Sequence, residues 1–164
     1  MKRCFFALCL LVAGLLSACA TAPKFDTTGV DFSITPPRAV TENTTLQGTP
    51  LLWGGIIIAS SNLKQVTQFE ILAYPLDGNL RPDTGKQPLG RFLAQQQGYL
   101  ETADYTAGRL MTVSGTLQGT RIGRIGESEY TYPVLQVKQH YLWSRASEEP
   151  DTSVHFGIGV MFHN

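Results

Sequence analysis

The amino-acid sequence predicts a mainly β fold, arranged as a small antiparallel barrel with one short helix. Apolar and polar residues alternate in several segments after residue 46, which is the period of a half-buried strand. Short polar or glycine-rich stretches separate these segments. Gly55 and Gly115 lie inside apolar strand segments, where a small closed barrel needs a bulge or a sharp bend. Together these features favour a closed sheet.

The first three predicted strands follow one another closely. Residues 51–59 are apolar on both faces, as expected of a strand within a barrel, and Ser61-Asn62 is the predicted hairpin turn. Residues 66–74 alternate strictly, and residues 91–96 form a short third strand after a polar loop. These segments predict one side of an antiparallel sheet.

The later elements complete a recognisable order. Residues 101–107 break the alternation and predict one helical turn that ends at Gly108. Residues 109–117 alternate again, residues 119–126 form a predicted turn-rich connection, and residues 130–143 are the longest strand candidate. Three strands, a short helix and two strands is the order of the five-stranded OB fold. A β-sandwich or another small barrel is the alternative.

A further strand is predicted at the C-terminus. In residues 154–162 (VHFGIGVMF), every second residue is apolar over nine positions, the period of one strand face. We expect this segment to pair with the sheet of the same domain, with residues 130–143 as the candidate neighbouring strand. Pairing with the exposed edge of a partner protein is the alternative. The predicted barrel domain therefore spans residues 46–164.

The N-terminus carries the features of a bacterial lipoprotein precursor. Lys2 and Arg3 precede an apolar run of thirteen residues, which is too short for a typical membrane-spanning helix but suits a signal peptide. The following residues 16–19, Leu-Ser-Ala-Cys, match the lipobox of bacterial lipoproteins. The sequence thus predicts a signal peptide over residues 1–18 and lipid attachment to Cys19.

Acylation of Cys19 would fix the protein to a membrane. Each buried methylene contributes about 0.8 kcal/mol, so that three acyl chains hold a protein effectively irreversibly. Ala20 follows the cysteine directly. By resemblance to the lipoproteins of bacteria with two membranes, this residue permits sorting to the outer membrane. The membrane lipid is therefore the first predicted partner, and the periplasm-facing leaflet is the expected location.

The segment after the lipidation site is predicted to be a tether. Residues 19–45 are rich in Thr and Pro and show no helical period. A flexible chain of about 25 residues spans roughly 25–30 Å. Phe25, Phe32 and Ile34 are apolar exceptions, and docking of these residues on the domain is the alternative.

Cysteine positions and charge exclude several classes of function. All three cysteines lie within the first nineteen residues, so the folded part holds no disulfide, redox CxxC pair or cysteine-ligated zinc. Loss of Lys2 and Arg3 with the signal peptide leaves 11 basic and 13 acidic residues, a net charge of −2. This balance gives no indication of nucleic-acid binding.

Motifs for catalysis or metal binding are missing from the sequence. It contains no GxSxG, HExxH or phosphate-binding glycine loop. His155 and His163 would lie roughly 27 Å apart on one strand, and His140 is distant in sequence. The acidic residues 148–151 are interpreted as a solvated linker. We therefore expect no catalytic residue, no cofactor and no metal site.

Two groups of residues are candidates for ligand contacts, because OB folds bind oligonucleotides and oligosaccharides. They are Arg109, Arg121, Arg124 and Arg145 for a basic face, and Trp53, Tyr74 and Tyr99 for stacking. Core packing explains the aromatic residues more economically. An envelope location makes nucleic acid an unsuitable partner.

Five blocks of the sequence carry a family resemblance, and they are residues 53–55 (WGG), 70–77 (EILAYPLD), 90–94 (GRFLA), 98–105 (GYLETADY) and 113–119 (VSGTLQG). In this order they resemble the Slp family of starvation-inducible outer-membrane lipoproteins. With the lipobox, the resemblance covers roughly residues 1–143 and departs after Trp143. It implies an outer-membrane lipoprotein linked to stress or stationary phase. The only site residue that it supplies is the lipidated Cys19.

Three hypotheses of function follow. The first is a non-enzymatic envelope protein that acts through binding or structural contacts with another envelope component. The second is a ligand-binding module for oligosaccharide or peptidoglycan fragments. The third, an enzyme, has no supporting arrangement of residues.

Overall fold

The computed structural model describes residues 23–144, which form two short helices followed by five strands. The elements are α1 Pro36–Thr41, α2 Asn43–Leu46, β1 Pro50–Asn62, β2 Val66–Tyr74, β3 Gly90–Gln97, β4 Leu110–Ile125 and β5 Ser128–Leu142. The signal peptide, Cys19 and the C-terminal strand predicted at 154–162 lie outside the described residues. No helix within residues 23–144 is long and apolar enough to cross a membrane.

The five strands close into a barrel in the order β1-β2-β3-β5-β4. Four of the five neighbouring pairs are antiparallel, whereas β3 and β5 are parallel and meet over Leu93–Gln95 and Val134–Gln136. This strand order and single parallel closure are those of the OB fold. The predicted fold class is confirmed, and the sandwich alternative is excluded because the sheet closes on itself.

The barrel interior is filled by the inward face of each strand. On β2, Phe69, Ile71 and Ala73 are buried and the residues between them are partly exposed, as strand alternation requires. Phe92 of β3 and Leu135 of β5 complete the same cluster. The alternation of residues 66–74 therefore identified the core-facing residues of β2 correctly.

The two strand glycines allow backbones to approach closely. A Cβ atom on Gly55 would overlap the carbonyl oxygen of Leu72 in β2, and one on Gly115 would overlap that of Gln136 in β5. Gly115 also adjoins a register shift between β4 and β5, as expected for a bulge. Gly55 lies two residues before the shift in β1. The absence of a side chain is thus required at both positions.

The helix predicted over residues 101–107 is wrong. This segment forms turns, in which the amides of Asp104 and Tyr105 donate to the carbonyl oxygens of Glu101 and Thr102. Tyr105 is directed onto the core and packs against Phe69, with ring centroids 5.0 Å apart. This contact fixes the segment as a connection across one end of the barrel.

The helices lie instead in the segment that was expected to be tether. Pro36 starts α1, where its fixed φ suits the helix and its missing N–H breaks no helical hydrogen bond. Ala39 of α1 is fully buried, and α1 contacts β3 and β5. Residues 34–46 therefore belong to the folded domain, and the prediction of a tether without helix up to residue 45 is wrong for them.

The hairpins also differ from the prediction. β1 runs through Ser61 and Asn62, and the turn follows over residues 63–65, closed by the amide of Leu63 donating to the carbonyl oxygen of Val66. Residues 119–125, predicted as a turn-rich connection, continue β4 and pair with β5. Gly126, with φ of 58°, makes the tight turn between them.

Residues 23–35, which we call the N-terminal strap, lie along the barrel before α1. The Gln139 side-chain amide donates to the carbonyl oxygen of Lys24 at 2.8 Å, and Lys138 is 3.5 Å from the carboxylate of Asp26. At the other end of the strap, the indole N–H of Trp53 donates to the carbonyl oxygen of Ile34 at 2.7 Å. The strap thus connects β5 with one end of the barrel.

Candidate functional site

The outward face of β2 and β3 is the candidate site, because OB folds bind their ligands there and on the adjoining loops. Strand alternation directs Gln68 and Glu70 of β2 outward, opposite the buried Phe69. Arg91 and Gln95 of β3 face outward beside them and are partly exposed. The face therefore presents four hydrogen-bonding side chains.

Glu70 is the centre of this face. Its Oε1 accepts hydrogen bonds from Arg91 Nη1 at 2.6 Å and from the Tyr132 hydroxyl at 3.2 Å. The Arg91 and Glu70 side chains are only 25% and 23% exposed, which strengthens the ion pair relative to a surface pair. Burial, with the nearby Glu70 carboxylate as a second cause, raises the pKa of Tyr132. The phenol therefore stays protonated and donates.

The β4–β5 hairpin covers part of the same face. The hydroxyl of Tyr130 accepts a hydrogen bond from the Arg91 amide at 2.9 Å, and the rings of Tyr130 and Tyr132 pack edge to face. Tyr132 and Val134 form a small apolar cluster with Leu93 of β3, separate from the barrel core. Side chains of the protein itself thus occupy part of the surface that an oligomeric ligand would contact.

A shallow cleft remains beside the covered part. Gln68 Oε1 accepts hydrogen bonds from Arg121 Nη1 at 2.6 Å and from Gln95 Nε2 at 3.0 Å. Gln95 and Arg121 line a cleft of about 200 Å³ together with Val134. Amide and guanidinium groups are hydrogen-bonding partners for hydroxyl-rich ligands.

The three aromatic residues considered for stacking do not form a platform. Trp53 is only 6% exposed and contacts Phe92 edge to face, with ring centroids 5.1 Å apart. Tyr74 lines an apolar groove between the strap and the barrel. Tyr99 is 70% exposed and lies after β3, at the opposite end of the β2–β3 pair from Tyr74. Core packing is thus the role of Trp53.

The described arginines do not form one basic face. Arg109 precedes β4 and donates to the carbonyl oxygen of Trp143 at 2.8 Å, whereas Arg121 and Arg124 lie near the far end of β4. Arg124 donates to the carbonyl oxygen of Glu127 within the hairpin turn. Arg145 lies outside the described residues. The hypothesis of a shared basic face is wrong for the three that are described.

His140 lies in a hydrogen-bonded position under the turn segment. Its Nε2 is 2.9 Å from the Tyr105 hydroxyl, and its Nδ1 is 3.3 Å from Gln96 Oε1. Gln96 Oε1 only accepts, so Nδ1 carries the proton and Nε2 accepts from the phenol. Within residues 23–144, no group of three or more potential ligands could hold a metal ion. His155 and His163 lie outside that range.

We predict that His140 makes stability depend on pH. Burial lowers the pKa of His140 below its ordinary value of 6.5. The unfolded chain therefore takes up this proton first as the pH falls through 6.5, and the folded state loses stability relative to it. Urea unfolding midpoints of wild type should fall between pH 7 and pH 5.5 more steeply than those of His140→Gln. Parallel curves would contradict the assignment.

Comparison with solved structures finds distant likenesses. The mitochondrial single-stranded DNA-binding protein Rim1 from S. cerevisiae is 16% identical with a TM-score of 0.38, and covers 58% of this chain and 94% of its own. A small single-stranded DNA-binding protein from Streptomyces coelicolor is 11% identical with a TM-score of 0.35 and the same coverage. Similarity at this level carries no argument about ligands, and the OB assignment rests on strand order.

Sequence comparison is more informative. The chain is 32% identical over 134 residues to the uncharacterized lipoprotein YeaY of Escherichia coli (strain K12), covering 79% of this chain and 67% of that protein. It is 30% identical over 139 residues to the outer membrane protein Slp of the same organism, covering 84% and 73%. The model of the outer membrane lipoprotein Slp family matches residues 16–162. The resemblance in the sequence blocks is thereby confirmed, and the chain belongs to the outer membrane lipoprotein Slp family.

Proposed function

We propose that this chain is a non-enzymatic envelope protein whose small barrel is held close to the outer membrane by lipid on Cys19. It acts there through contacts with other envelope components, in a stress-associated role. The observation that carries the proposal is the docked N-terminal strap. A barrel on a long free tether would sample the periplasm, whereas a docked strap keeps one face of the domain near the lipid.

The length of chain before the first strap contact limits the reach of the barrel. Four residues lie between Cys19 and Lys24, whose carbonyl oxygen accepts the hydrogen bond from Gln139. The chain from Cys19 to Lys24 spans at most about 18 Å when it is fully extended. We therefore place the end of β5 that carries Lys138 and Gln139 towards the lipid headgroups.

The β4–β5 hairpin covers part of the β2–β3 face. This cover favours a function through contacts elsewhere on the barrel, rather than through binding of a long oligomer to this face. Glu70, Arg91 and Tyr132 satisfy one another, so that an incoming ligand would have to break the hydrogen-bonded Arg91–Glu70 ion pair and the hydrogen bond from Tyr132. A polyanion would also approach the carboxylate of Glu70. Nucleic acid is thus an unsuitable partner for this face.

A second candidate function is a binding module for oligosaccharide or peptidoglycan fragments. The cleft formed by Gln95 and Arg121 favours it, because these groups suit sugar hydroxyls. If this function holds, soluble protein should sediment with purified peptidoglycan, and Gln95→Ala should reduce the bound fraction several-fold. Retention by Gln95→Ala equal to that of wild type would exclude the cleft.

The anchor is tested by intact mass. We expect membrane-extracted wild type to start at Cys19 and to carry the mass of acyl groups, and Cys19→Ser to partition into buffer without them. Added protease should digest the wild type only after the outer membrane is permeabilised. Wild type without acyl mass would contradict the proposed anchor. Digestion of the protein in intact cells would contradict its proposed orientation.

A further inference from the structure

Another cavity opens where β5 ends, away from the covered β2–β3 face. Its volume is about 320 Å³, within the range of small-molecule sites. Ile56, Leu110 and Trp143 supply an apolar wall, and the side chains of Arg81 and Arg109 line the same space. The cavity therefore combines an indole wall with two guanidinium groups, which is an arrangement suited to an anion with a small apolar body.

Both guanidinium groups lack an acidic partner within residues 23–144. Arg109 donates from Nη1 to the carbonyl oxygen of Asp104 at 3.0 Å and from Nη2 to that of Trp143, and its buried Nε has no hydrogen-bond partner there. The four ion pairs between described residues include neither Arg109 nor Arg81. Two positive charges thus line one cavity, and their neutralisation would be favourable.

The indole wall is fixed in place. Trp143 donates from its backbone amide to the carbonyl oxygen of Leu110 at 2.9 Å and from Nε1 to the hydroxyl oxygen of Thr112 at 3.0 Å. The guanidinium carbon of Arg81 lies 5.2 Å from the centre of the Trp143 ring. Stacking on an aromatic face orients a guanidinium group and leaves its N–H edge free to donate. The Trp143 ring thus orients the guanidinium group of Arg81 at the cavity.

We propose that this cavity binds a carboxylate group between Arg81 and Arg109, with Trp143 against the carbon skeleton of the bound group. The planar guanidinium fork matches the two oxygens of a carboxylate, and charge-assisted hydrogen bonds of this type are the strong ones. The site goes beyond the proposed function, because neither the anchor nor the strap depends on it.

Two sources of carboxylate fit the position of the cavity. Ser144 lines it, and the chain continues to Glu148, Glu149 and Asp151. Glu148 is four residues beyond Ser144, a reach of up to about 14 Å. The acidic segment of the chain itself can therefore supply the group, and the free carboxylate of a peptide is the other source.

The test uses the mature chain with Cys19→Ser, which removes only the lipid. The chain has two tryptophans, so nitrogen-labelled protein gives two indole N–H signals in an NMR spectrum, and Trp53→Phe identifies that of Trp143. The probes are N-acetyl-alanyl-alanine with a free carboxylate and the same dipeptide with a terminal amide. A variant with Glu148→Gln, Glu149→Gln and Asp151→Asn removes the internal acids.

A shift of the Trp143 signal by the acid but not the amide, in the parent protein, identifies an external carboxylate. If the chain's own acidic residues supply the carboxylate, their neutralisation shifts the Trp143 signal, and the dipeptide with the free carboxylate binds only to the neutralised variant. In either case Arg81→Gln should weaken binding at least about tenfold, and Arg124→Gln should not. The proposal is overturned if neither treatment moves the signal, if acid and amide act equally, or if Arg81→Gln has no effect.

Discussion

Gly55→Ala should lower the free energy of unfolding by at least about 3 kcal/mol, or prevent folding. The added Cβ would overlap the carbonyl oxygen of Leu72 and lie 2.6 Å from its carbonyl carbon and 2.9 Å from Ala73 Cα. All three atoms belong to the backbone of β2, which cannot move aside without opening the β1–β2 pairing. Urea unfolding of the soluble Cys19→Ser protein measures the change.

Gly78→Ala is the matched control for this substitution. A Cβ on Gly78 meets no atom within 4 Å, and its backbone is not in the left-handed region. We expect a change of no more than about 0.5 kcal/mol. Equal unfolding midpoints for the Gly55→Ala and Gly78→Ala variants would show that β1 and β2 do not approach as described.

Trp53→Ala should have an effect of about 3–5 kcal/mol, because it empties a buried aromatic site. The indole is 6% exposed, packs against Phe92 and donates to the carbonyl oxygen of Ile34. The loss removes core packing and the hydrogen bond that ends the strap. Thermal and urea unfolding both report it.

Trp53→Phe separates these two contributions. Phenylalanine keeps an aromatic contact with Phe92 but cannot donate, so that we expect a smaller loss, about 1–2 kcal/mol. Release of the strap should also speed tryptic cleavage after Lys24, which lies within it. Cleavage at the wild-type rate, with unchanged stability, would contradict the role of the indole N–H.

Strand positions were predictable because period-two alternation directly reflects one-sided burial. Residues 66–74 were predicted as a strand and coincide with β2, whose inward residues Phe69 and Ile71 are fully buried. The glycines at 55 and 115 were also informative, since an apolar strand tolerates glycine mainly where another backbone comes close. Local pattern and tertiary requirement agree at these positions.

The helices and the β4–β5 hairpin were not predictable from local pattern. α1 and α2 have six and four residues, too few to show a helical period, and tertiary contacts of Ala39 stabilise α1. The glycines at 119, 123 and 126 resemble loop residues, although the first two continue β4. Pairing with β5 outweighs the weak strand preference of glycine there.

The Glu70 network was missed for a different reason. Glu70 and Arg91 occupy outward positions of two strands, and only the register between β2 and β3 makes them neighbours. Register depends on turn geometry and on the whole apolar pattern. An outward acid on one strand and an outward base on the next was the available signal. The cavity beside Trp143 likewise joins residues far apart in sequence.

We propose that the N-terminal strap holds the barrel against the membrane, and energy transfer in vesicles measures how close the barrel lies to the lipid headgroups. The mature lipidated protein is inserted in vesicles with dansyl-labelled headgroups, and energy transfer from its two tryptophans to dansyl is measured. The comparison is a variant in which fifteen Gly/Ser residues are inserted after Thr21. We predict strong transfer for wild type and a clear decrease for the insertion variant. Equally weak transfer for both proteins would contradict the claim, because it would show that the barrel already moves freely on a long tether.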